Sequence, residues 1–216
     1  SLLGGGTIKK ALLLAGDARK RAAGSSDPLF GHSGTVTAVE YKEGEEDFCF
    51  HFGTDGSGFD AIITPDGGSR NPFTPESLKL EEVEGQMVHR LQTRMKGMDV
   101  FSFGITTAPR SVRKLAEHYE LSLDSYDYFV FHQANKMMNE MIRKKLKLSE
   151  EKVPYSLGEF GNTSSASIPI TIVTQLKGKV ENRETRFICC GFGVGLSWGT
   201  VAFNSKHLVI SDLVEL

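Results

Sequence analysis

Three short stretches of the 216-residue chain combine polar side chains with small residues that let a ligand approach the backbone. "YFVFHQAN" (128–135) runs four apolar or aromatic residues into His132, Gln133, Ala134 and Asn135. "GNTSSAS" (161–167) sets Asn162 between Gly161 and a run of Thr, Ser and Ala. "GFGVG" (191–195) is a glycine-rich turn between two apolar segments. A neutral imidazole donates one N–H, and a carboxamide can donate two. Side by side, His132 and Asn162 would form a donor pair that holds negative charge on a carbonyl oxygen, such as that of a malonyl thioester becoming an enolate as carbon dioxide leaves. Removing one donor from such a hole costs about 3–4 kcal/mol of barrier. Backbone N–H groups of the 191–195 turn could face the same oxyanion. A Cys that meets His and Asn in the fold is also a known nucleophilic arrangement.

Each stretch alone has a plainer reading. A lone His after an apolar strand commonly packs at the core boundary, and Asn162 could close a local turn. "GFGVG" alone is a tight hairpin, and is weak as a phosphate loop because no helix follows it. Met137, Met138, Met141, Ile142 and Leu146, at helical spacing, read as core packing. The run Arg143, Lys144, Lys145 and Lys147 reads as a solvated basic face. His51, His89, His118 and His207 fall in no partner pattern, and nothing has metal-ligand spacing.

The elements that would position these groups alternate between strands and helices, which argues for a layered α/β fold. "SLLGGGTIKK" (1–10) reads as a helix tail and a glycine turn. "ALLLAGD" (11–17) is a continuous apolar run, as in a strand buried on both faces. "SGTVTAVEY" (33–41) and "DFCFHFGTDG" (47–56) alternate, the second with Phe48, Phe50 and Phe52 on one face and Cys49 and His51 on the other. "TPDGGSRNPFTPES" (64–77) is a loop and the likeliest boundary or excursion. Helical periodicity returns near Asp99, with Val100, Phe103, Val112, Leu115 and Ala116 on one face and a kink expected at Pro109. The strand "YDYFVFHQ" and the Met-rich helix follow. After a small-residue loop, "IPITIVTQL" (168–176) reads as a helix start or buried segment. "TRFICCGF" (185–192) and "LSWGTVAF" (196–203) are strands. The expected division is 1–94 and 95–216.

The bulk numbers suit a folded globular protein. A formal net charge of -2 gives no sign of nucleic acid or an anionic membrane as partner. No apolar stretch approaches the ~18 residues a membrane span needs. Cys49, Cys189 and Cys190 do not make a disulfide framework, which favours a reducing, cytoplasmic setting.

Taken in order and at their spacing, "HQAN" (132–135), "GNTSSAS" (161–167) and "GFGVGLSWG" (191–199) resemble the three C-terminal signatures of the β-ketoacyl-acyl-carrier-protein synthases III, condensing enzymes of the thiolase superfamily. "ALLLAGD", "FGHSG" (30–34), "GTDGSG" (53–58) and "MKGMDVFSF" (95–103) resemble segments upstream of them. The resemblance implies a thiolase-like αβαβα fold, here the end of its N-terminal half and all of its C-terminal half. It implies a Cys–His–Asn triad that condenses an acyl-CoA starter with malonyl carrier protein, with no cofactor. By motif match His132 and Asn162 are the His and Asn. Gly193, Val194 and Gly195 would lie at the oxyanion site, and Asn135, Gly97 and Phe192 along the pantetheine arm.

None of the three cysteines stands where the family keeps its nucleophile, so the resemblance implies a fragment unable to complete the condensation alone. It also implies a homodimer for the full-length protein. His32 stands where an acidic residue is usual, Met98 where Asn is common, Val194 where Gly is frequent, and Met137 where an Arg often meets the carrier protein. Lys136, Arg143, Lys144 and Lys145 are the candidates for a positive surface facing the acidic carrier protein. Two rival readings stay open: another condensing enzyme of the superfamily, of polyketide or hydroxymethylglutaryl synthase type, and a non-catalytic subunit that binds acyl or CoA groups.

Overall fold

The computed structural model of the chain describes residue 3 and residues 7–17 and 29–215. The helix tail and glycine turn expected over 1–10 fall largely outside the described residues. In chain order the elements are β1 (Lys10–Asp17), β2 (Ser33–Glu40), β3 (Cys49–Thr54), the short strands β4 (Ile62–Ile63), β5 (Glu81–Val83), β6 (Gln86–Val88) and β7 (Arg94–Met95), α1 (Gly97–His118), β8 (Tyr128–Phe131), α2 (Lys136–Leu146), α3 (Leu157–Phe160), α4 (Ser167–Thr171), β9 (Thr185–Gly193) and β10 (Ser197–Ser205).

The central sheet has the order β3-β10-β9-β8. β8 runs parallel to β9, pairing Phe129 with Ile188 and Phe131 with Cys190; β10 is antiparallel to both β9 and β3. The apolar run at β8 follows from cover on both faces. On one face Phe129, Phe131, Ile188 and Cys190 pack with Val112 and Leu115 of α1 and Met138 and Ile142 of α2. On the other, Val130, Phe187 and Cys189 pack with Leu176, Val180 and Ile210. Burying each Phe fully contributes about 2–3 kcal/mol. α4 touches β8 and β9 on one side and β2 on the other, so it forms a middle layer beneath the β1–β2 hairpin. A 3₁₀ turn (164–166) precedes α4 and a π-helical turn (172–176) continues it, so "IPITIVTQL" is helical as expected.

One expectation needs correction. β1 forms, but it is not buried on both faces: Leu12, Leu13 and Leu14 are 64%, 59% and 76% exposed. Among the described residues the strand's one sheet neighbour is β2, and its partly covered positions are Ala11, Ala15 and Asp17. β3 alternates as read, with Cys49 packed toward the helical side and the Phe48, Phe50 and Phe52 face exposed. β3 is the edge strand of the central sheet, whose other strands all follow residue 95.

Pro109 does not end α1, which runs from Gly97 to His118 with Pro109 buried inside it. A proline lacks the N–H that would bond the carbonyl four residues back. That carbonyl, Ile105 O, accepts instead from Lys145 Nζ on α2 at 3.0 Å. Arg113 returns the tie by donating to Lys145 O. The segment 56–95 is an excursion built from the β4–β7 and β5–β6 pairs. It is tied by Arg90, which donates through Nε and Nη2 to the two Asp66 oxygens at 2.9 and 3.0 Å.

Candidate active site

His132 stands one residue beyond the carboxyl end of β8. Its N–H donates to Cys190 O at 2.9 Å and so extends the β8–β9 ladder by one step. Its carbonyl accepts from Ala134 N at 3.0 Å and Asn139 Nδ2 at 3.1 Å. Gln133 is fully buried; its Nε2 donates to Phe131 O at 2.8 Å, and its Oε1 accepts from Ser156 N at 3.2 Å. Asn135 caps α2, its Oδ1 accepting from Met138 N at 2.8 Å. The "HQAN" backbone is therefore held from three directions.

The His132 ring is equally constrained. Nδ1 lies 2.7 Å from Ser167 Oγ. Phe192 meets the ring edge-on, with centroids 5.4 Å apart and planes at 86°. Burial disfavours the imidazolium and brings the His132 pKa down to about 4, opposed by a weaker hydrogen bond to the Ser164 backbone. At neutral pH the ring is neutral and carries one N–H.

Asn162 arrives on a loop whose path depends on glycine. Gly161 has φ +63, and a Cβ there would lie 2.6 Å from Leu29 O. Asn162 N donates to Leu29 O at 2.7 Å, and Gly31 N donates to Asn162 O at 3.1 Å. A Cβ on Gly31 would meet Phe160 O at 1.8 Å. The "FGHSG" segment is thus a backing strand for the Asn162 loop, a role that its glycines signal only once the backbone contact is known. Asn162 Oδ1 accepts from Ser164 N at 2.9 Å, which fixes the flip of the carboxamide. Its Nδ2 then faces the "HQAN" loop, 3.5 Å from Ala134 O. So the two loops meet: Asn162 reaches the residue two beyond His132, and Ser164 and Ser167, just beyond Asn162, meet the His132 ring.

A turn at 194–196 follows β9. Asp55 N donates to Leu196 O at 2.7 Å, and Leu196 N donates back to Asp55 O at 2.9 Å. A Cβ at Gly53 would strike Trp198 at 2.3 Å, and one at Gly58 would strike Leu196 at 2.5 Å. "GTDGSG" is therefore small where β10 and its turn press against it.

Residues 116–205 match the family described as "3-Oxoacyl-[acyl-carrier-protein (ACP)] synthase III C terminal". The chain is 30% identical to a putative 3-oxoacyl-[acyl-carrier-protein] synthase 3 of Campylobacter jejuni, over 96% of this chain and 59% of that protein. A crystal structure of a 3-oxoacyl-(acyl carrier protein) synthase from Burkholderia xenovorans superposes with a TM-score of 0.83, at 35% identity, over 98% of this chain and 60% of the other. A further 3-oxoacyl-(acyl-carrier-protein) synthase III structure gives a TM-score of 0.85 at 31% identity, over 94% and 63%. Residues 116–205 thus carry the C-terminal part of this synthase III family, and the chain as a whole is similar to 3-oxoacyl-[acyl-carrier-protein] synthases III. Its layered architecture is the thiolase-like fold of those structures. The chain spans about half the length of the curated relatives it matches.

The remaining candidate residues of this chain divide. Phe192 is partly buried and packs on His132 and, at 6.3 Å, on Phe103. Gly97 opens α1 with open space at its Cβ position, and Val194 is 57% exposed. Lys136 and Lys144 are exposed. Arg143 must be corrected: it is 8% exposed and does not present a free surface charge. Its guanidinium is taken up by Glu140 at 2.7 Å, Glu150 at 3.1 Å and Leu148 O at 2.9 Å, because it closes the C-terminal turn of α2. Lys145 is exposed, but its ammonium is held on Ile105 O. Met137 is 69% exposed, so the Met stripe is core at Met138 and not at Met137.

Burial pushes the Cys189 and Cys190 thiols up to about 12, and Cys49 is also raised, by burial and then by Asp47 and Glu46. None of the three has the lowered pKa of an activated nucleophile. Among the described residues no group of His, Cys, Asp and Glu is placed to hold a metal, and no helix is long and apolar enough to cross a membrane. A surface hollow lined by Asp124, Asp127, Lys152 and Arg183 lies at the amino end of β8, away from His132.

Proposed function

We propose that the protein of which this chain is part catalyses decarboxylative condensation of an acyl-CoA starter with malonyl carrier protein, giving a β-ketoacyl carrier protein, in the initiation of fatty-acid synthesis or a related acyl-chain pathway. In this reading a Cys outside Cys49, Cys189 and Cys190 carries the acyl group. His132 and Asn162 donate to the malonyl thioester oxygen as the C–CO₂ bond breaks. The electron pair left on the malonyl carbon attacks the acyl carbonyl, the new C–C bond forms, and the Cys thiolate leaves. Backbone N–H groups of Gly193, Val194 and Gly195 line the oxyanion site, and Asn135, Gly97 and Phe192 flank the pantetheine arm. Lys136 and Lys144 offer positive charge to the carrier protein. The reaction needs no cofactor, and the reading places a homodimer in the cytoplasm.

The observation that carries this reading is the meeting of the His132 and Asn162 loops, with a neutral imidazole and a carboxamide whose oxygen is already occupied. The test is malonyl carrier-protein decarboxylation by the protein at the full length of its relatives. His132→Ala and Asn162→Ala should each lower the rate by about 10²–10³-fold while self-acylation stays measurable. Wild-type condensation by both variants would overturn the assignment. Acyl-CoA binding without condensation by the unmutated protein would favour a non-catalytic acyl-binding subunit.

A further inference from the structure

We propose that Ser167 is a positioning residue: its hydroxyl donates to Nδ1 of His132 and so fixes the ring as the Nε2–H tautomer. The geometry is a closed circuit of buried groups. Ser167 Oγ lies 2.7 Å from Nδ1, and Ser167 is 1% exposed. Thr171 Oγ1 donates to Ser167 O at 2.7 Å, as helical threonines do to the carbonyl four residues back. That commits the one Thr171 proton, so the 2.7 Å contact between Ser156 Oγ and Thr171 Oγ1 has Ser156 as donor. Ser156 N donates to Gln133 Oε1, and Gln133 Nε2 donates to Phe131 O. The circuit starts at His132 and ends on the strand that carries it. Gln133, Ser156 and Thr171 are all within 1% of complete burial.

The direction of the Ser167 bond follows from this setting. A buried hydroxyl that gives its proton to nothing is costly, because it has lost water and gained no partner. Among the described residues, Nδ1 of His132 is the partner of Ser167 Oγ. If Ser167 donates, Nδ1 carries the lone pair, and the single ring proton sits on Nε2. Were Nδ1 protonated instead, Nε2 would present a lone pair and the ring could not act as an oxyanion donor through that atom. The Ser164 backbone also bonds the ring.

The catalytic meaning of this tautomer rests on the function proposed above, but the tautomer itself is read without turnover. The experiment is ¹⁵N-histidine NMR of this chain at pH 7, with His132 assigned by loss of its signals in His132→Gln. The expected wild-type spectrum shows a protonated-type shift at Nε2 and an unprotonated, hydrogen-bonded shift at Nδ1. Ser167→Ala should shift both signals toward a mixture containing the Nδ1–H form, and Ser167→Thr, which keeps the hydroxyl, should retain the wild-type pattern. A wild-type ring protonated at Nδ1 overturns the proposal, and so does an unchanged tautomer in Ser167→Ala. Should the Ala variant fail to fold, the wild-type spectrum still decides.

Discussion

Acidification should destabilise this protein through His132. In the unfolded chain the ring titrates near the ordinary value of 6.5, whereas in the fold burial holds it down to about 4. Above pH 6.5 both states are neutral and the residue adds no pH dependence. Between 6.5 and 4 the unfolded state binds a proton that the native state refuses, so stability falls as pH falls; below 4 the loss is complete. Each pH unit of that window is worth about 1.4 kcal/mol, so the total is about 3 kcal/mol. The assay is urea unfolding at pH 7, 6, 5 and 4 for the wild type and His132→Gln. Carboxylates and His51, whose pKa is also lowered by burial and then by Lys114, act in both proteins and cancel in the comparison. The wild type should lose about 3 kcal/mol more than the variant over the range. Parallel curves, or a His132 ring that titrates near 6.5 by NMR, would refute the reasoning.

Gly31→Ala should cost about 1–3 kcal/mol in unfolding free energy, because its Cβ would meet Phe160 O at 1.8 Å and part the backing strand from the Asn162 loop. An unchanged unfolding midpoint would contradict that contact. Arg143→Met should cost about 3 kcal/mol by leaving the Glu140 carboxylate and the Leu148 carbonyl without their partner, with no change in affinity for an acidic carrier protein. A selective loss of carrier binding would restore Arg143 as a surface contact. Lys145→Met should cost about 1 kcal/mol in the wild type but markedly less in a Pro109→Ala background, where a restored N–H can take the Ile105 carbonyl. A double-mutant cycle with zero coupling would exclude that account of Pro109.

The sequence revealed most where local pattern and tertiary environment agree. β8, the Met-rich helix and the two last strands follow directly from apolar runs and periodicity, because the central sheet is covered on both faces here. β1 misled for the same reason: a run such as "LLL" records an environment that is not present on both sides of this two-stranded hairpin. His132 and Asn162 were legible as candidate donors by residue type, yet their orientation was not. Which way the Asn162 carboxamide points depends on a bond to Ser164 N, and which ring nitrogen of His132 is engaged depends on Ser167. Nor could spacing show that Gly31 and Gly161 are required by backbones that cross from far along the chain, at Phe160 and Leu29. The basic run after Met141 read as one surface, but a salt bridge to Glu140 draws Arg143 inward while Lys144 stays out. Charge type alone does not distinguish a solvated cation from one that closes a helix.

The depressed pKa of His132 has a consequence for the proposed chemistry beyond stability. An enolate formed by loss of carbon dioxide must survive until it meets the acyl carbon. An imidazolium beside it would be a strong enough acid to protonate that carbon and waste the malonyl unit as an acetyl thioester. A neutral imidazole donates a hydrogen bond to the oxygen without surrendering its proton, the same logic by which other enzymes keep an electrophilic His neutral. Burial supplies this condition, and the Ser167 circuit supplies the direction of the one remaining N–H. The decarboxylation rate should therefore be flat in pH from about 8 down to about 5 with respect to His132, since the ring does not titrate until about 4. A rate that falls with a midpoint near 6.5, and loses that midpoint when carrier protein and thioester are unchanged but His132 is replaced, would show that the ring charges in the working site and that neutrality is not what the fold preserves.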